Sequence, residues 1–132
     1  MSAVNVKPNL LSDRRAFIFF GSLVFLDLAT KVLMRHLGSF ETNSGVSFGL
    51  LSGSVNSLVV LIWILVCAAF VYRFVRTKSL ELLLISAGGV GNLLDRLYFG
   101  KVTDWIHVLM WFNIADILIV LGAAYLLIKT LR

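Results

Sequence analysis

The chain has 132 residues, of which 59% are hydrophobic, and a mean hydropathy of +0.94; a soluble globular domain is usually only about 45–50% apolar. That excess excludes an ordinary soluble enzyme and fits a single domain embedded in a membrane. The net charge of +5 does not point to nucleic acid, because the basic residues lie at the ends of apolar runs instead of forming a stripe interleaved with aromatics.

In chain order, residues 1–15 read as a polar tail ending in Asp13-Arg14-Arg15. A first apolar run covers about residues 16–37, long enough for a bilayer that needs about 20 residues. Asp27 and Lys31 inside it, and its length, argue against a cleavable signal peptide. Residues 38–55 form a loop rich in glycine and serine. The second run, about 56–75, carries no charge before Arg73, and the basic link Arg76-Thr77-Lys78 follows. The third run, about 80–99, turns polar in its second half. A connector at 100–112 holds Asp104, Trp105, His107 and Trp111, and the fourth run, about 113–131, ends at Lys129 and Arg132. The expected fold is therefore all-α and integral to the membrane: four transmembrane helices in one domain spanning 1–132, with room for a small reduced β element on the outer face.

Charge fixes the expected orientation. Lys7, Arg14, Arg15, Arg73, Arg76, Lys78, Lys129 and Arg132 fall on one side, and only Arg35 and Lys101 border the other two loops. The positive-inside rule places both termini in the cytoplasm and turns loops 38–55 and 100–112 outward. Asp27, Lys31, Asn92, Asp95, Arg96, Asp104, Asn113 and Asp116 then all fall in one layer at the outer membrane boundary. An ionisable group at membrane depth is costly enough to mark a functional site by default.

Each group also has a plainer reading. Asp27 and Lys31 are spaced i, i+4 in the order that favours a helical ion pair, and mutual neutralisation is the better account of them. Asn92 shares a helix face with Asp95 and with Arg96; beside Gly88, Gly89 and Gly91, which allow close helix approach, they form either a packing surface or a site. Asn113 is placed to cap the fourth run with Asp116 in its first turn. Asp104 is then either a solvated loop residue or the second half of a carboxylate pair that shares one proton and serves as acid and base. The lone Cys67 excludes an internal disulfide and reads as a small hydrophobe. His36 and His107 lack metal-ligand spacing with Cys or Glu, so no metal or cofactor is implied. Trp105, Trp111 and Phe112 mark a membrane interface.

Four blocks in this order resemble a known family, the bacterial lipoprotein signal peptidases (signal peptidase II). They are Asp27-x-x-Thr30-Lys31; Asn43-x-Gly45-Val46-Ser47-Phe48; Gly88-Gly89 running into Gly91-Asn92-x-x-Asp95-Arg96; and Val102-x-Asp104 followed by Phe112-Asn113-x-Ala115-Asp116. The resemblance implies a monomeric aspartyl endopeptidase of the bacterial inner membrane that cuts diacylglyceryl-modified prolipoproteins just before the lipidated cysteine. It implies Asp104 and Asp116 as the catalytic dyad, Asn43, Asn92, Arg96 and Asn113 as residues that hold substrate or shape the site, and Asp27, Lys31, Asp95 and Gly91 as supports. It names membrane lipids and lipidated prolipoproteins as partners. The chain departs from the family in its short loops, where relatives build a β-cradle and a flap-like helix, and in His107, where a second acid is common. A non-catalytic membrane protein, or a degenerate homologue that binds lipoproteins or assists assembly, is the rival expectation.

Overall fold

Every apolar run becomes a helix, and α1 begins earlier than composition suggests. A computed structural model describes residues 12–43 and 54–132; Gly45, Val46, Ser47 and Phe48 of the second motif lie outside the described residues. Helix α1 spans Asp13–Leu37, so Asp13, Arg14 and Arg15 are helical and not part of a tail. Ser12 is extended at the N-cap and Asp13 sits in the first turn, where a carboxylate meets the positive end of the helix dipole. Gly38 closes α1 at φ 70°, and the Gly38 and Ser39 N–H groups return to the carbonyls of Arg35 and Met34, both at 3.2 Å. This left-handed closure is the one glycine adopts without strain.

Strand β1 (Glu41–Asn43) follows, then α2 (Ser54–Thr77) and α3 (Leu80–Phe99), three short strands, β2 (Val102–Asp104), β3 (Ile106–His107) and β4 (Trp111–Phe112), and finally α4 (Ile114–Thr130). Helix α1 and the Leu58–Thr77 stretch of α2 are each long and apolar enough to cross a membrane. Large apolar side chains cover the outside, including Phe25 at 74%, Leu65 at 61% and Val120 at 66% exposure. Soluble monomers rarely expose so much contiguous apolar surface.

Helix α3 is the hub, packed against α1, α2 and α4. Glycines set its distance from α4. A Cβ on Gly88 would run into the Ala115 carbonyl and the Ile119 side chain, and one on Gly122 would meet the Glu81 carbonyl at 2.8 Å. Gly91 serves a different neighbour, since its missing side chain makes room for the Asp27 carboxylate. Gly88→Ala is therefore expected to cost about 1–3 kcal/mol, because the obstructing atom is backbone and cannot rotate away; a lowered Tm of the detergent-purified protein would show it. At the other end of α3, Ala16, Phe74, Leu82 and Leu83 form the buried cluster, with Phe20 stacked on Phe74 at 5.5 Å.

The β element allowed for on the outer face takes the form of two antiparallel pairs. β1 pairs with β2 in the register Glu41↔Asp104, Thr42↔Thr103 and Asn43↔Val102. β3 pairs with β4, matching Ile106 with Phe112 and His107 with Trp111. β1 and β2 thus meet over the same end of the helices, and all three residues of β2 are buried there.

Candidate active site

Three helices and β2 bring the polar residues into one bonded network. Asp27 and Lys31 lie one turn apart on α1, fully buried, with Lys31 Nζ 2.7 Å from Asp27 Oδ2. The other oxygen, Asp27 Oδ1, accepts the Ala115 N–H at 2.8 Å and so joins α1 to the first turn of α4. Lys31 Nζ also donates to Asn92 Oδ1 at 3.0 Å, which fixes the Asn92 amide so that Nδ2 donates to Asp116 Oδ1 at 2.9 Å. A chain of bonds therefore runs from the α1 ion pair through α3 to Asp116.

Local rules place the other half. Asn113 caps α4: its Oδ1 accepts the Asp116 N–H at 3.0 Å, while Asp116 Oδ2 accepts the Asn113 N–H at 3.1 Å. This reciprocal capping box satisfies two N–H groups that a helix start leaves open. The free end of the same side chain, Asn113 Nδ2, donates to Asp104 Oδ1 at 2.8 Å and to the Thr103 carbonyl at 3.3 Å. One buried asparagine thus touches both candidate carboxylates.

Asp95 stands behind them. Its Oδ1 accepts from both terminal nitrogens of Arg35, at 3.1 and 3.2 Å, and its Oδ2 accepts the Thr103 N–H at 2.6 Å. Arg35 Nη1 donates as well to Thr103 Oγ1 at 3.1 Å, and the guanidinium lies 3.7 Å over the Phe99 ring. Asp95 is 1% exposed. Its oxygens are committed to α1 and β2, so it positions β2 and hence Asp104. The helical spacing directed attention to Asn92 as the neighbour of Asp95, whereas the partners of Asp95 are Arg35 and Thr103. Arg35 had a visible signal, for Asp27, Lys31 and Arg35 recur every four residues along one helix face. Thr103 contributes mainly its backbone and had none.

Arg96 is set apart from these carboxylate contacts. It stacks over the Trp63 ring at 4.7 Å, donates to the Asn92 carbonyl at 3.4 Å and keeps a buried Nε with no partner among the described residues. Asn43 enters through its backbone, paired with Val102.

Asp104 is buried, and burial first and the Asp116 carboxylate second raise its pKa from 3.8 to about 6; the Asn113 hydrogen bond, Lys31 and Arg96 pull the other way. Two carboxylates held by one asparagine, one of them titrating at about 6, can offer a proton donor and a proton acceptor at one place below that pH.

The family model described as Signal peptidase (SPase) II matches residues 19–132. The chain belongs to the signal peptidase II family. Its relatives include the lipoprotein signal peptidase of Desulfitobacterium hafniense, 37% identical over 102 residues that cover 70% of this chain and 67% of the relative. That of Allorhizobium ampelinum is 36% identical over 143 residues, covering 88% and 87%. A solved structure described as a bacterial membrane enzyme, determined by the in meso method, superposes with a TM-score of 0.76 at 25% identity and covers 89% of this chain and 92% of its own. A signal peptidase hydrolyses a peptide bond, which calls for a group that activates water and a group that protonates the leaving amine. In this member of the signal peptidase II family, the Asp104 and Asp116 carboxylates are both bonded to Asn113.

Proposed function

We propose that this chain is an intramembrane aspartyl endopeptidase that removes signal peptides from diacylglyceryl-modified prolipoproteins, cutting before the lipidated cysteine. The observation that carries the reading is the Asn113 amide, bonded to Asp104 at 2.8 Å while its own backbone N–H reaches Asp116 at 3.1 Å. The dyad holds one proton. The ionised carboxylate takes a proton from water as its oxygen attacks the scissile carbonyl carbon, and the protonated one donates to the carbonyl oxygen. When the tetrahedral species collapses, the C–N bond breaks and the amine leaves with a proton from the dyad. Asn92 and Asn113 hold the dyad, and Arg96 with its unpartnered Nε is placed to donate to substrate carbonyls.

The same reading makes α1 to α4 four spans of the inner membrane, acting as one monomeric domain with both termini cytoplasmic and the dyad at the outer boundary. The lysine and arginine asymmetry supports this orientation. So does the β3–β4 hairpin: its tip exposes Leu109 at 96% and Met110 at 70%, and it borders an apolar groove of about 550 Å³ that runs along Ile117 and Val120 and ends at Asp116. Such a groove suits the acyl chains that distinguish a lipidated substrate.

The purified chain incubated with a lipidated prolipoprotein should release the signal peptide, seen as two products by mass spectrometry. A substrate that binds and stays whole would replace the peptidase with a binding protein. The pH profile adds a second check. The Asp104 pKa of about 6 belongs to the proton the dyad must keep, so kcat/KM is expected to fall as pH rises through about 6, approaching tenfold per unit. The folded state also binds this proton more tightly than the unfolded chain does, so the group's share of stability is present at low pH and is lost as pH rises from about 4 to about 6. A rate flat from pH 5 to 8 would remove Asp104 from the proton chemistry.

A further inference from the structure

Far from the dyad, at the other end of the helices, two adjoining cavities remain unused by the proposed chemistry. One, of about 460 Å³, is lined by Arg73, Thr77, Ser79, Glu81 and Lys129. The other, of about 490 Å³, runs up between α2 and α4 on a floor of α3 and is walled by Trp63, Cys67, Ile85, Ile119 and Ala123. Phe70 and Leu126 line both, so the two spaces adjoin along one channel-like groove with a charged mouth and an apolar shaft. Gly89 helps keep the shaft open: a side chain there would press on Cys67 Sγ at 3.1 Å. From Trp63 to Thr77 α2 rises about 20 Å, a large part of one leaflet's depth.

We propose that this channel binds one anionic phospholipid, its head group between Arg73 and Lys129 and one acyl chain in the groove between α2 and α4. The inference rests on the orientation given above, which puts this end at the cytoplasmic leaflet. Charge selects the head group. Among the described residues Arg73 forms no ion pair, and the single carboxylate at the mouth, Glu81, is already bound to Lys129 at 2.7 Å. Two cations against one carboxylate leave a positive surplus at the mouth, which disfavours the ammonium of a zwitterionic head.

The shaft selects the tail. Its walls are apolar except for Thr130, whose hydroxyl is spent on the Leu126 carbonyl, and Ser86, which is 1% exposed and whose Oγ has no partner among the described residues. A free phosphate would answer the mouth and leave the shaft unfilled. An uncharged lipid would fill the shaft and leave Arg73 unanswered. An amphiphile with an anionic head answers both.

Native mass spectrometry of the full chain in detergent, titrated separately with phosphatidylglycerol, phosphatidylethanolamine and inorganic phosphate, tests this. One phosphatidylglycerol should be retained per chain, with half-saturation at about tenfold lower concentration than phosphatidylethanolamine. Arg73→Gln, at an exposed position that should not disturb folding, should weaken that retention about fivefold, the worth of one basic residue against an anionic lipid. Ala123→Trp, which fills the shaft from an exposed position on α4, should weaken retention of both lipids. Equal retention of the two lipids, no effect of Arg73→Gln, or displacement by millimolar inorganic phosphate would overturn the proposal. So would displacement of the lipid by a synthetic signal peptide, which would give the groove to the substrate helix. Retention is read equally on Asp104→Asn protein, so the result stands or falls independently of peptidase activity.

Discussion

Asparagine at position 104 or at position 116 is expected to lower kcat/KM for a lipidated prolipoprotein by about 10³-fold, the middle of the range that one positioned acid or base contributes. The change keeps shape and hydrogen-bonding capacity and removes only the titrating group. At position 116 an amide oxygen can still accept from Asn92 or from the Asn113 N–H, and at position 104 it can still accept from Asn113 Nδ2. Both variants should therefore fold, with Tm close to the parent. The double variant should be little worse than either single one, because the two groups act on one shared proton and their losses do not add. The measurement is processed substrate per unit time with purified protein, alongside a melting curve. Should either single variant keep the parent rate, the dyad assignment fails. Asp95→Asn is the informative contrast: Asp95 is saturated by Arg35 and Thr103, so its replacement should lower Tm and activity together instead of activity alone.

What the sequence made legible divides along the range of the interactions. The Asp27–Lys31 pair and the Asn113–Asp116 capping box follow from spacing within one helix, and the structure has both. The charge asymmetry and apolar runs likewise gave the helices to within a few residues, apart from the early start of α1. The long-range partners were another matter. Asp95 bonds not to Asn92, its neighbour on the helix face, but to Arg35 on α1, because burial leaves a carboxylate dependent on whichever donors the packing delivers. The β1–β2 ladder that seats Asp104 pairs residues from two distant loops, and strands of three residues carry no periodicity to read. Gly88 and Gly91, close in sequence and similar in appearance, face different neighbours, a backbone and a carboxylate. Even so, the residues that the motifs singled out in α1, α3, β2 and α4 are the ones the fold gathers at one end.

Lys31→Met should be the most damaging of the structural changes. Lys31 and Asp27 are both fully buried, and deleting one partner of a buried ion pair leaves an uncompensated charge at a cost of about 3–5 kcal/mol. Low yield and a depressed Tm in detergent are expected. Asp27→Asn combined with Lys31→Met should recover most of that stability, since the charge disappears and an amide oxygen still accepts the Ala115 N–H that Asp27 holds at 2.8 Å. Activity should not return with it. Lys31 also donates to Asn92 Oδ1, and this bond fixes which face of the amide points at Asp116. Without it Asn92 can rotate, and misplacement of a group beside the reacting centre by about 1 Å costs about 10²-fold in rate. The double variant is thus expected to melt near the parent temperature, bind substrate with a nearly unchanged KM and turn over about 10²-fold more slowly. A double variant as unstable as Lys31→Met would show that the ion pair is not what stabilises this end of α1. Full recovery of kcat would instead reduce Lys31 to a counter-charge for Asp27 and leave the orientation of Asp116 to its own helix cap.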